Sequence, residues 1–384
     1  MKNVKITHLT PLFLAAFLLA ATNFIVVPDV AFADPPACKG KNKNDSGCDG
    51  GGSGGGAGNI QTCEEVFGVT SGCTCSFDVT IKDTTDSTPP EFVYVLQHDC
   101  ATDTMLVVPV FGAVLGNGFT LDAVGDFSGE AVVTNEGFRA VIQDLTINID
   151  SAAADACDGT LRTGILYSIN SSTLAEDPMH PAIRLLAQRN IIKSQAGRSL
   201  CRGIEATRTA DAMGFTDRFV RVNRNEIWPD SYAETGILVR GFGPSDATGS
   251  EITASNNNVS QGVGDATTAM QIGPASTDVV SLEKNLLAAG PSGAGLAIFG
   301  DPGFQIDVLR NSITGGMFGI RVDDSVLASN ITGNSLVGDP SNDGLGDIAV
   351  CDDSEFPLDR RNKSTGYDNA LMVGGCSLLS PAPD

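Results

Sequence analysis

The chain has 384 residues, with 24 Lys and Arg against 46 Asp and Glu and a formal net charge of −22. A negative surplus of that size excludes nucleic acid or an anionic membrane held by bulk charge, since both are polyanions themselves. Charged residues make up only 18% while 42% are hydrophobic and 44 are glycine, which excludes a disordered acidic protein; aromatics at 6% point to a repeat array whose core uses small and β-branched side chains.

The first predicted element is a signal peptide over residues 1–33. Met1, Lys2 and Lys5 precede an apolar run from Leu12 to Ala21, and Ala31-Phe32-Ala33 supplies a small-residue cleavage site. Thr22-Asn23 and Pro28-Asp29 interrupt the run below the ~20 residues of a bilayer span, so a secreted protein, periplasmic or extracellular, with no membrane span is expected. Residues 34–59 form a Gly-rich tether ending in Gly50 to Gly56, which cannot bury apolar surface. Ten cysteines follow the leader: Cys38, Cys48, Cys63, Cys73, Cys75, Cys100, Cys157, Cys201, Cys351 and Cys376. An even count in an exported chain predicts disulfides, with Cys38–Cys48 and Cys351–Cys376 suggested by loop closure and the other pairings open. Cys73-Thr-Cys75 is the alternative half of a metal site, but His98 and His180 are the only histidines left to complete one. Residues 60–119 carry short β-type runs, Phe92 to Leu96 and Met105 to Phe111, and four cysteines; they predict a β-rich, disulfide-stapled N-terminal cap.

An array is predicted over 120–350, with a C-terminal cap over 351–384. Its marker is an Asn followed two residues later by an aliphatic residue: Asn190, Asn225, Asn257, Asn285, Asn311 and Asn334, at intervals of 35, 32, 28, 26 and 23 residues. Three residues before each Asn stands Ala187, Val222, Ala254, Leu282, Val308 or Ile331; five before stands Leu185, Val220, Ile252, Val280, Ile306 or Ser329. That period of two predicts a strand with one face inward. A second strand recurs downstream, as Gly203-Ile-Glu-Ala, Gly236-Ile-Leu-Val, Ala269-Met-Gln-Ile, Gly295-Leu-Ala-Ile, Gly319-Ile-Arg-Val and Asp347-Ile-Ala-Val, after an earlier Gly164-Ile-Leu-Tyr. All variation in length falls between the Asn and this strand.

Short strands with one fixed and one variable corner predict an all-β fold: a single-stranded right-handed parallel β-helix, a solenoid with stapled terminal caps. Rungs about 4.8 Å apart let the asparagines form an amide ladder along the axis. The Asn column and the Gly-Ile-x-Val strand together resemble the pectate-lyase-like superfamily. The resemblance implies that a polysaccharide lies along the outward face of the strand after the variable loop, and the arginines there suit an anionic glycan. Alternation puts Ile165, Ile204, Ile237, Met270, Leu296, Ile320 and Ile348 inward, and Glu205, Gln271 and Arg321 outward, with Arg240 and Asp323 two residues beyond that row.

Arg240 or Arg321 is the candidate to stabilise an enolate, Glu205 or Asp323 to accept the proton beside a uronate carboxylate, and Gln271 to bind substrate. Hydrolysis is disfavoured: it needs carboxylates about 5 to 9.5 Å apart, while Glu205 and Asp323 stand four rungs, near 19 Å, from each other. The Gly-His-Gly and Arg-Ile-Lys elements of polygalacturonase-like hydrolases and the Arg-x-Pro-x-x-Arg run of pectate lyases are absent. Asp177-Pro-Met-His180 is similar to the Asp-Pro-His element of mannuronan epimerases, with a Met inserted. Trp228 and Tyr232 sit in a variable loop, where a ring either stacks on sugar or covers the core edge. Asp339, Ser341, Asp343 and Asp347 place oxygen at the first, third, fifth and ninth positions of a Ca²⁺-type loop, with Val350 where such loops have Glu; this is a weak Ca²⁺ site or an acidic turn. Nothing points to an organic cofactor or fixes an oligomeric state.

Arginines cluster between Arg184 and Arg224, including Arg221, and Arg189, Arg224, Lys284 and Arg310 directly precede their Asn. They predict a basic column along one corner, for anionic glycan or for charge balance. Two functions follow: a polysaccharide lyase or epimerase acting on an acidic glycan, or a non-catalytic extracellular glycan-binding or structural protein.

Overall fold

The computed structural model describes residues 59–82, 91–169, 182–208, 217–240, 251–273, 278–299, 305–323, 326–338 and 348–374. The signal peptide, most of the tether, Cys38, Cys48, Cys376, His180 and the Asp339, Ser341, Asp343 and Asp347 loop lie outside them.

The fold is all-β, with long parallel sheets. One helix, Cys63–Phe67, occurs among the described residues; Thr62 and Glu65 close its first turn as a capping box. Three strands, Asn59–Thr62, Ser76–Lys82 and Glu91–Leu96, form an antiparallel meander. From Glu91–Leu96 onward every ladder is parallel, and the strands fall into three columns. The first runs through Arg139–Gln143, Ala182–Gln188, Asp217–Asn223 and Glu251–Ser255 to Phe356–Arg360. The second runs from Thr146–Ile149 and Ile191–Ser194 to Lys363–Thr365. The third takes in Thr163–Ile169, Ser199–Arg208, Tyr232–Arg240, Thr268–Gly273, Ala294–Ile298, Phe318–Val322 and Ile348–Asp352. From Arg139 on, each strand pairs with the one that follows it in its own column, so successive passes of the chain stack in register. Parallel pairing begins before residue 120 and ends at Met372–Val373, wider at both ends than the array expected over 120–350.

Alternation decides what fills the interior. In the third column Ile165, Ile204, Ile237, Met270, Leu296, Ile320 and Val350 stack in register and are fully buried. Val350, not Ile348, completes this row, and Ile348 pairs with Phe318. A slip of two residues keeps every side chain on its face, so the Ile-x-Val pattern alone could not exclude it. The glycine before the inward Ile204 is needed for close approach: a Cβ at Gly203 would stand 2.6 Å from Ile227 Cδ1 in the second column.

The amide ladder forms and is longer than expected. Each side chain of Asn190, Asn225, Asn257, Asn285, Asn311 and Asn334 donates to the Oδ1 of the next and to a backbone carbonyl, for instance Asn257 Nδ2 to Asn285 Oδ1 at 2.9 Å and to Val222 O at 2.7 Å. Asn362 extends it by one. All but Asn362 are buried, and each Oδ1 also accepts a backbone N–H, so the corner's polar groups are satisfied internally.

Disulfides Cys63–Cys73 and Cys75–Cys100 staple the N-terminal meander. Cys157–Cys201 instead lies within the array, beside the pairing of Ala156 with Leu200. Cys351 is also disulfide-bonded. At the other end the interior turns polar. Asp352 takes the inward position next to Val322, accepting from Ser329 Oγ at 2.5 Å and from the Ser354 N–H at 2.9 Å. Asp359 follows Ile331 in the first column's inward row. Burial, and then the charge of Asp352, push its carboxyl up to about 6.

Candidate functional site

The outward row of the third column is Leu166, Glu205, Leu238, Gln271, Ala297 and Arg321, ending at Cys351. It was expected to be an open strip, yet Leu238 and Cys351 are wholly buried and Gln271 and Arg321 are each 8% exposed. Ala294, Ala297, Phe318, Ile348 and Cys351 form a second apolar cluster outside the main core, with Phe299, Met317 and Met372 against it.

Glu205 is occupied by its own strand. Arg202 Nη1 donates to it at 3.0 Å, Thr163 Oγ1 at 3.4 Å, and Arg202 Nη2 reaches Glu234 at 3.1 Å. Burial works against the charge on Arg202, but Glu205 and Glu234 outweigh it and raise its pKa. Strict alternation would put residues three apart on opposite faces, yet Arg202 and Glu205 meet. Arg240 pairs with Thr207 and Gly273 in the next row, is exposed, and makes no ion pair among the described residues. Arg321 Cζ lies 5.1 Å from the ring centre of Phe299 and 5.3 Å from that of Phe318. Asp323 and Asp353 act on it electrostatically, while burial, the larger effect, lowers its pKa. Glu205 and Asp323 remain four strands apart, about 19 Å. The proposed acid, base and cation therefore do not converge.

Tyr232 corrects the sequence reading. Its ring is fully buried and its hydroxyl donates to Ser260 O at 3.0 Å, so it belongs to the core and offers no face to a sugar. Trp228 is 45% exposed, with Lys193 Nζ 5.8 Å from its ring centre. Arg221 and Arg224 lie away from the Glu205 row: Arg221 points outward from the first column, over Phe219 at 4.8 Å and 3.7 Å from Glu251, and Arg224 sits at the corner after that column.

No family model, curated protein or solved structure matches the chain.

The corner before the Asn ladder has a geometry that spacing did not reveal. The residue preceding each ladder Asn is left-handed: Arg189, Arg224, Asn256, Lys284, Arg310 and Arg361 have φ between 55° and 58°, and Gly333 has φ 71°. Five of these seven are Arg or Lys, although Gly or Asn suits that backbone better. All but Arg189 are exposed. Arg189 is held bidentately by Asp144 at 2.5 and 2.8 Å, and Lys284 and Arg310 share Glu283 at 3.0 and 3.2 Å. Arg224 and Arg361 make no ion pair among the described residues.

Among the described residues two groups have metal-ligand proximity, Cys63 with Cys73 and Cys75, and Cys157 with Cys201 and Glu234. Every sulfur in them is committed to a disulfide, which removes the thiolate a metal needs.

Proposed function

We propose that the chain is a secreted, single-stranded right-handed parallel β-helix that binds an acidic polysaccharide along its left-handed corner without cleaving it. Right-handed winding is supported by the general rule that a crossover between parallel strands of one sheet takes that hand. The disulfides fit an oxidising compartment, and among the described residues no helix is long and apolar enough to cross a membrane.

The observation that carries the binding reading is the cation column. Arg or Lys at a left-handed position costs backbone energy that glycine would not, yet five of the seven positions carry one, and Arg224 and Arg361 make no ion pair among the described residues. A polyanion laid along the corner would supply their partner. The lyase or epimerase reading has less support, because Glu205 is held by Arg202 and lies far from Asp323.

The test is retention of the mature protein on immobilised polyuronate, with a neutral glucan as control, across a salt series. Retention should fall with salt and fall further in an Arg224→Ala/Arg310→Ala variant, with no rise in the ultraviolet absorbance of unsaturated sugar ends. Unchanged retention in that variant would sink the corner assignment, and unsaturated products would restore the lyase.

A further inference from the structure

We propose that the outer face of the first column holds a site for a small primary alkylammonium ion, bound by Asp307 in a hollow above Ala328. Four strands build this face: Val279–Glu283, Gln305–Leu309, Ala328–Thr332 and Phe356–Arg360, paired in register. Alternation turns Val280 and Ile306 inward and leaves two outward rows, Val279, Gln305 and Ala328 in one, and Ser281, Asp307, Asn330 and Leu358 in the other. The single methyl of Ala328, in line with Val279 and Gln305, leaves room for a cavity of about 270 Å³ across these strands. Pockets for drug-sized ligands run to roughly 300–1,000 Å³, so the occupant of this one is small.

Asp307 sets the charge of that occupant. Among the described residues its half-buried carboxylate accepts one side-chain hydrogen bond, from Asn330 Nδ2 at 2.8 Å, and makes no ion pair. Thr332 Oγ1 donates to Asn330 Oδ1 at 2.8 Å, which fixes the amide and, through it, the carboxylate. The cations nearby are engaged or remote: Arg310, at the corner of the same rung, lies 3.2 Å from Glu283, and Arg360 is two strands from Asp307 in a further outward row. An ionised carboxylate has about four acceptor sites, and an ammonium brings three donors. Because Asn330 already occupies Oδ1, a guanidinium fork finds no symmetric pair of oxygens, and the point-like ammonium fits better. Exposed Gln305, two residues from Asp307 on the same face, adds a neutral acceptor. The rest of the ligand is apolar, since Val279 and Leu358 border the cavity and are 57% and 39% exposed. Leu358 stands two strands, about 10 Å, from Asp307, a gap that a chain of about four carbons fills between the two side chains.

This site takes a ligand opposite in charge to the corner's and does not rest on the glycan reading. The test is calorimetric titration of the full mature chain at low salt with n-butylammonium chloride, beside 1-butanol and sodium butyrate. Butylammonium should bind, and the two controls should not. Its affinity should fall about tenfold or more in Asp307→Asn, which keeps the shape and removes the charge, and as much in Ala328→Leu, which keeps the charge and fills the hollow. In the native protein the backbone amide resonances of Gln305–Leu309 and Ala328–Thr332 should shift on titration, a readout independent of either variant's folding. Affinity unchanged in either variant would overturn the proposal, because it would leave only diffuse attraction of a cation to a chain of net charge −22. Butanol binding as tightly as butylammonium, or resonance shifts that are absent or spread along the whole chain, would overturn it as well.

Discussion

Two regions handle charge in opposite ways. On the outer face of the third column, charge is withdrawn from water: Arg202 is closed by two glutamates, and Arg321 is set between phenyl rings. At the corner before the Asn ladder, five of seven left-handed positions carry a cation, and Arg224, Lys284, Arg310 and Arg361 are exposed. Both lie on the same stack of strands, so the fold does not dictate the difference. What differs is how far each cation is taken out of water: Arg321 is buried, while Arg224, Lys284, Arg310 and Arg361 are exposed.

The largest effect expected from this contrast is on stability. Arg202→Ala leaves Glu205 and Glu234 facing each other without their shared cation, at a cost of about 2–3 kcal/mol. Arg224→Ala at the corner removes no ion pair among the described residues and should change stability by less than about 0.5 kcal/mol. Chemical denaturation of the two variants side by side measures this. Similar losses in both would erase the distinction between spent and displayed charge.

The distinction was only partly legible in the sequence. The Asn column and the period-two strands were readable because each rung repeats them, and the hydrogen-bonded ladder follows from that register. Asn362 escaped because Ser364 stands where the other rungs have an aliphatic residue. Arg202 was invisible as the partner of Glu205, since alternation assigns residues three apart to opposite faces. Tyr232 follows Pro229 and Asp230 and looks like loop, but it opens a strand and turns inward. The cations before the asparagines were seen as a column, whereas their left-handed φ is a property of the folded corner.

Buried charge also has a pH signature. Asp359 has a folded pKa raised from 3.8 to about 6 by burial and by Asp352, so the fold prefers its neutral form. Below about pH 4 folded and unfolded chains are both protonated there and nothing is lost. As pH rises through about 6 the unfolded chain ionises first, and the penalty is complete above it. Discounted for half exposure, this is roughly 1–2 kcal/mol against the last rung at neutral pH. Hydrogen exchange in residues 348–374 should be faster at pH 7.5 than at pH 5 once corrected for intrinsic rates, and Asp359→Asn should remove that difference. A pH dependence that survives the substitution would assign it elsewhere.

The smallest predicted effect has the opposite sign and discriminates best between the two regions. Lys284 is left-handed at φ 57°, where a side chain costs about 1–2 kcal/mol relative to glycine. Glycine returns part of that as unfolded-state entropy, about 0.5–1 kcal/mol. The ion pair to Glu283 at 3.0 Å is half-exposed and worth little, and Glu283 keeps Arg310 at 3.2 Å when Lys284 is gone. Lys284→Gly should therefore leave stability level or raise it by about 0.5 kcal/mol, while retention on polyuronate falls. A loss of more than about 1 kcal/mol would mean that the corner cations brace the fold; a small gain together with weaker retention is what a surface kept charged for an anionic ligand requires.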